Sequence, residues 1–182
     1  MYDITIVGSG VSGIFLAYTL LQTRTKFKIL MIEKGRKFKD RVCPIESGLS
    51  KKCICCKICN KTQGFGGMGR CEGKFNYTND FGGHLGEKIG DKAAINIMEY
   101  VDKTLCLFGA DKVKLYSTQN EELSKIAKEN NYNILTTKVR HLGTTLPYEI
   151  LNKMYGYLMD KVDIEFETDI TSIDKINNIF NL

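Results

Sequence analysis

The sequence has only two histidines, His84 and His141, separated by 57 positions. That leaves a histidine-based metal site or catalytic triad without material, and each reads as a hydrogen-bonded or surface side chain. Prolines are equally few, Pro44 and Pro147, and 43% of the residues are apolar against 26% charged. This balance excludes disorder, collagen-like repeats and coiled coil. No apolar run reaches the roughly 20 residues that a membrane helix needs. The longest stretch without a charge, Ile4 to Thr23, is interrupted by Gly8, Ser9, Gly10, Ser12 and Gly13. A secretory leader needs a basic start, and here Asp3 stands third. A cytoplasmic protein is expected, its cysteines reduced or metal-bound.

The net charge of +5 is concentrated in one place. Between Arg36 and Lys61 lie eight basic residues and only two acidic ones, Asp40 and Glu46. Nucleic-acid binding would need interleaved aromatics for stacking, and Phe38 is the only one in the segment. Solvated surface, or compensation for nearby thiolates, is the expected role.

Hydrophobic periodicity predicts a buried strand over Tyr2–Val7, a helix from Gly10 through Val11, Ile14, Phe15, Tyr18 and Leu21, and a second strand over Phe27–Ile32. Together these form a β-α-β unit with parallel strands. Residues 35–90 carry most of the glycine and cysteine with little periodicity, which predicts a long functional or ligand-held excursion. Helices are expected from Asp91 to Phe108 with Gly109 as the stop, over Gln119–Asn130, and from Pro147 to about Asp160. Strands are expected over Tyr132–Thr136 and Asp163–Thr168, then on both sides of an Asn177-Asn178 turn. The Met98, Val101, Leu105 stripe reads as core, and Tyr148, Tyr155 and Tyr157 as surface or interface aromatics. The fold class is α/β, an incomplete Rossmann-type parallel sheet with a Cys/Gly-rich insertion and a helical segment. Three parts are expected: 1–90, the start of the nucleotide-binding domain; 91–160, a helical segment opening a substrate domain; and 161–182, strands returning to the first.

Gly8-Ser9-Gly10-Val11-Ser12-Gly13 fits G-x-G-x-x-G in its proper setting. It follows a strand, opens a helix, and is followed 20 residues after Gly13 by Glu33 at the end of the second strand. Gly8 suits the tight turn, Gly10 the close approach of a pyrophosphate, and Gly13 the packing of helix on strand. The helix N-terminus offers N–H groups and about half a positive charge. Glu33 is placed to accept from ribose hydroxyls, and its charge makes NADP the poorest candidate.

Cys43, Cys53, Cys56 and Cys59 have the spacing C-x9-C-x2-C-x2-C, with Cys55 as an extra. Four thiolates suit either tetrahedral zinc or an iron–sulfur cluster, and the basic segment would offset their charge. Unbonded thiols or a redox disulfide are the alternatives. Cys71 and Cys106 are left over, the latter as a packing residue.

A second glycine-rich stretch, Gly64-Phe65-Gly66-Gly67-Met68-Gly69, is followed by Gly73-Lys74-Phe75-Asn76 and Phe81-Gly82-Gly83. The order GSGVSG, IEKGR, RVCPI, CxxCxxC, GFGGMG, GKFNYT, DFGGHL, then RHLGTT and DIEFETDITSI, resembles the uncharacterised FAD-dependent dehydrogenases of the glutathione-reductase-like flavoprotein superfamily. The resemblance implies that Gly8, Gly10, Val11, Ser12 and Gly13 hold the FAD pyrophosphate, and Glu33 the adenosine ribose with Lys34 close by. It further implies that Gly66, Gly67 and Met68 lie along the flavin side, and that Ile170 meets the adenine through its backbone. The sequence departs from the family at Met68 and at Arg70-Cys71-Glu72. Members of the family are more than twice as long, which implies an N-terminal part whose remainder comes from a longer chain or another subunit. The implied function is that of a flavin-dependent oxidoreductase acting on a small molecule or redox partner. Two other classes stay open: a zinc-binding interaction module or inactive fragment with a structural nucleotide turn, and an NAD-binding module of a separate dehydrogenase.

Overall fold

The computed structural model describes all residues of 1–182 except Cys71, Glu72 and Phe81, and only the backbone of Arg70. The leftover Cys71, the family departure at Cys71-Glu72 and the Phe81 of the third glycine run therefore lie outside the described residues. The chain divides into two compact units: Met1–Arg70 with Leu151–Leu182, and Cys71–Ile150. Among the described residues no helix is long and apolar enough to cross a membrane.

The first unit is built on a parallel three-stranded sheet of β1 (Ile4–Val7), β2 (Ile29–Ile32) and β6 (Asp163–Glu165), in the order β1-β2-β6. The β2 strand is central, and its four residues, Ile29, Leu30, Met31 and Ile32, are all buried, as a strand covered on both faces requires. Helix α1 (Val11–Leu21) links β1 to β2 and buries Ile14, Ala17 and Tyr18, three and four residues apart. Val11, expected on the same face, is 45% exposed because it stands at the turn where the helix opens. The fold is thus α/β with a partial Rossmann-type sheet, as the sequence predicts.

From Leu151 onward, the helix α5 (Leu146–Met159) buries Leu151, Met154 and Leu158 in this unit. Its Tyr155 ring meets Phe65 edge-on with centroids 4.9 Å apart and stacks beside Phe38 at 6.1 Å. Tyr155 is therefore part of an aromatic cluster under the excursion rather than a surface residue. Strands β7 (Asp174–Ile176) and β8 (Ile179–Asn181) form a hairpin. Its two turn residues, Asn177 and Asn178, have φ of 50° and 66°, the left-handed pair a two-residue turn demands.

In the second unit, β3 (Gly73–Tyr77), β4 (Tyr116–Ser117) and β5 (Lys138–Gly143) form an antiparallel sheet in the order β3-β5-β4. Around it run α2 (Leu85–Ile89), α3 (Asp91–Leu107) and α4 (Glu121–Glu129). Asn120 caps α4 by accepting from the Leu123 N–H at 2.9 Å, and Gly109, with φ 115°, follows α3 as expected. The strands of this unit differ from expectation: β3 and β4 fall where no strand is predicted, and β5 runs over Lys138–Gly143 and not Tyr132–Thr136, where Tyr132 and Leu135 are exposed. Of the two buried residues of β5, Arg140 and Leu142, the first is an arginine, which a hydrophobic alternation does not reveal. Its guanidinium is buried against Asp102 of α3, donating from Nε at 2.7 Å and from Nη2 at 2.8 Å. Tyr77 of β3 donates its hydroxyl to the same carboxylate at 2.6 Å, and Arg140 also donates to the Ala110 and Val113 carbonyls.

Candidate functional site

The first unit gathers the predicted glycine turn, Glu33 and the second glycine stretch at the ends of β1 and β2. Gly8 has φ 91°, a conformation L side chains rarely adopt, and its N–H donates to the Ile32 carbonyl at 2.7 Å. A Cβ on Gly13 would stand 2.1 Å from the Gly8 carbonyl oxygen, so helix and turn meet there only as glycine. A Cβ on Gly10 would meet nothing within 4 Å. The open space at Gly10 lies before α1, whose N-terminus no side chain caps and whose first turn holds no acidic residue. Packing thus explains the third glycine, while the second faces room that the protein leaves unfilled.

Glu33 is 7% exposed, and its carboxylate receives four donors. Oε2 accepts from the Ser9 N–H at 2.7 Å and the Ser9 hydroxyl at 2.8 Å. Oε1 accepts from the N–H groups of Gly35 at 2.7 Å and Gly64 at 3.2 Å. Burial alone would raise the Glu33 carboxyl above its ordinary range, but the hydrogen bonds from Ser9, Gly35 and Gly64 outweigh it and hold the group below that range. All four lone-pair positions are occupied by the protein. Of the four donors, only the Ser9 hydroxyl can rotate away without moving backbone.

A second buried charge holds the other side of the glycine stretch. Arg41, 2% exposed, donates from Nε to Asn60 O at 3.1 Å, from Nη1 to Phe65 O at 2.6 Å, and from Nη2 to Lys61 O and Gly67 O at 3.0 and 2.7 Å. Gly66 N–H donates to the Ser9 carbonyl at 2.8 Å, and Gly67 has φ 51°. Gly66 and Gly67 are thereby seated on the first turn, while Met68 is 64% exposed. Nothing in the sequence marks Arg41 individually. It is one of eight cations in a basic segment, and its burial and its four carbonyl partners are tertiary facts.

Lys34 is exposed and pairs with Asp169 at 2.7 Å. Thr168 N–H donates to the Glu33 carbonyl at 3.1 Å and Glu167 N–H to the Gly35 carbonyl at 3.0 Å, which brings the segment carrying half-buried Ile170 alongside Glu33 and Lys34. Ile170 itself lies between β6 and β7, outside any strand.

The cysteines behave differently. Cys53, Cys55 and Cys56 are exposed, and Cys43 and Cys59 half-buried, all as free thiols. Among the described residues no group of three or more Cys, His, Asp or Glu side chains is placed to hold an ion. The sulfurs of Cys43, Cys53, Cys56 and Cys59 are not gathered into one donor set in this structure. The segment is instead closed by backbone bonds, among them Ser47 N–H to Cys43 O, Ser50 N–H to Pro44 O and Gln63 N–H to Cys59 O. Two of the basic residues pair with acids, Lys61 with Glu46 and Arg36 with Glu167, each at 3.4 Å. His84 pairs with Glu87 at 2.9 Å on the surface.

No family model matches the sequence. No curated protein sequence matches it either. Among solved structures, the chain is similar to an L-amino acid deaminase from Proteus vulgaris, with 14% identity, a TM-score of 0.44, and coverage of 99% of this chain and 43% of that one. It is similar to an L-amino acid deaminase from Proteus myxofaciens, in complex with anthranilate, with 14% identity, a TM-score of 0.40, and coverage of 97% and 40%. It is also similar to the apo form of the Mycobacterium smegmatis Sdh1 complex, with 13% identity, a TM-score of 0.49, and coverage of 94% and 28%. The chain spans less than half the length of each of these.

Proposed function

We propose that the first unit binds the adenosine diphosphate part of FAD and that the chain serves in a flavin-dependent oxidoreductase. The observation that carries this reading is the unfilled space at Gly10 in front of the uncapped N-terminus of α1, at the end of a parallel β-α-β unit. A diphosphate suits that space because backbone N–H groups and the positive end of the helix dipole converge there. The motif order from GSGVSG to DITSI supports FAD over other dinucleotides.

In this reading Gly8 shapes the turn, Gly10 admits the pyrophosphate, and Gly13 fixes the helix against the turn. Val11 and Ser12 supply N–H groups of the first helical turn. Glu33 accepts from one ribose hydroxyl when the Ser9 hydroxyl rotates away, and the remaining three donors keep the carboxylate ionised and in place. Ser9 O and Arg41 hold Gly66 and Gly67 at the turn, with Met68 beside them. FAD, when bound, supplies the hydride or electron chemistry. The protein supplies position and charge.

Fluorescence titration of the full chain with FAD, ADP, NAD and NADP tests this. FAD and ADP are expected to bind and NADP not. Binding of NAD with no retention of FAD would replace the reading by that of an NAD module. No binding of any of the four would leave the turn a structural one.

A further inference from the structure

The excursion of the first unit contains a loop whose two ends are tied together. Asn60 Nδ2 donates to the Val42 carbonyl at 2.8 Å, and Arg41 Nε donates to the Asn60 carbonyl at 3.1 Å. Arg41 and Asn60 are both buried, so residues 43–59 leave and return through a fixed neck. Beyond the neck every residue from Ile45 to Lys57 is exposed apart from the half-buried Ser50. The exposed stretch is apolar and cationic at once. Leu49 is 80% exposed and Ile54 62%, and around them stand Lys51, Lys52 and Lys57. The one carboxylate of the loop, Glu46, pairs with Lys61, and no further acid occurs in the sequence before Glu72. Three lysines therefore have no acid of their own loop to neutralise them. No aromatic stands between Phe38 and Phe65, and the loop has no arginine. Energetic centres of protein interfaces are built from Trp, Tyr and Arg, and single-stranded nucleic acid is held by stacking rings. An anionic bilayer asks only for aliphatic side chains that enter the headgroup layer and ammonium groups on long stems that stay at its surface.

We propose that the loop 43–59 docks on an anionic lipid surface, with Leu49 and Ile54 entering the headgroup layer and Lys51, Lys52 and Lys57 meeting the lipid anions. The charges are complementary, and the aliphatic side chains exchange water for acyl chains. The neck at Val42 and Asn60 is already ordered, which limits what docking must immobilise. No residue of the loop belongs to the glycine turn or to the Glu33 network, so the proposal stands apart from the flavin reading.

The test is co-sedimentation of the full, reduced chain with phosphatidylcholine vesicles that contain about a third phosphatidylserine, and with phosphatidylcholine alone, at physiological ionic strength. The anionic vesicles are expected to carry the protein down and the neutral ones not. Lys51→Gln with Lys52→Gln should weaken binding about thirtyfold, at about fivefold for each lysine near the surface. Leu49→Ser with Ile54→Ser, which leaves the charge unchanged, should weaken it about tenfold. All four positions are exposed, so both double variants should keep the melting temperature of the original chain. Absence of sedimentation with the anionic vesicles, equal sedimentation with the neutral ones, or full binding by either double variant would each overturn the proposal. So would binding of poly-glutamate or single-stranded DNA as tight as that of the anionic vesicles, which would make the loop's partner an acidic protein or a nucleic acid. Should a variant fail to fold, the comparison of vesicles and polymers on the unaltered chain decides.

Discussion

Ser9 donates both its backbone N–H and its hydroxyl to the same carboxylate oxygen of Glu33, 24 residues further along the chain, at 2.7 and 2.8 Å. This pair of hydrogen bonds ties the glycine turn after β1 to the end of β2. The other oxygen of Glu33 continues the connection to Gly35 and Gly64. One buried carboxylate therefore fixes three backbone segments that meet at the proposed cofactor site.

Glu33→Gln should destabilise the first unit by about 2–4 kcal/mol, because the amide nitrogen would face N–H donors that now meet a carboxylate. The pH dependence follows from the direction of the shift. The folded Glu33 carboxyl lies below its unfolded value of about 4.3. Its contribution is therefore complete above that value and is lost as the pH falls through the lower, folded one. Denaturant unfolding between pH 7 and pH 3 should show a steeper acid loss in the unaltered chain than in Glu33→Gln.

Gly10→Ala and Gly13→Ala separate ligand from packing. At Gly13 the added methyl meets the Gly8 carbonyl oxygen at 2.1 Å, and a loss of about 2–3 kcal/mol is expected. At Gly10, with φ −66° and open space, the fold should keep its melting temperature while FAD binding is lost. Thermal unfolding and FAD titration of both variants check this. A Gly10→Ala chain that binds FAD as tightly as the original would remove the pyrophosphate from this turn.

Arg41→Lys should loosen the second glycine stretch, since an ammonium on a flexible stem does not reproduce a planar fork reaching four carbonyls. A cost of about 2–3 kcal/mol is expected, from the loss of charge-assisted bonds to buried carbonyls. Hydrogen exchange should quicken at Gly66 and Gly67, while the β2 amides stay protected.

In the second unit, Asp102→Asn should cost about 3–5 kcal/mol, because Arg140 would be left buried without its carboxylate. The bidentate bonds from Arg140 hold the Asp102 carboxyl below its ordinary range, against the opposing effect of burial and with help from the Tyr77 hydroxyl. Tyr77→Phe removes only one of these donors and should cost about 1 kcal/mol. Urea unfolding of both variants checks the order.

The sequence by itself determined the β-α-β unit, the glycine turn and Glu33, the helices after Asp91 and Pro147, and the Asn177-Asn178 turn. Each is written in local periodicity or in a residue type that a particular backbone conformation demands. Only the tertiary structure decided what the excursion between Gly35 and Arg70 is built on. Its supports are Arg41 and the Glu33 carboxylate, which the sequence marks only as a ribose acceptor; both are charged groups buried to satisfy distant backbone groups, and no local pattern reveals that role. The same reason hid β5, where one of the two buried residues, Arg140, is neutralised by Asp102 on another element. It also governs the cysteines: their spacing along the chain allows convergence, but the path of the backbone between them decides whether the sulfurs meet.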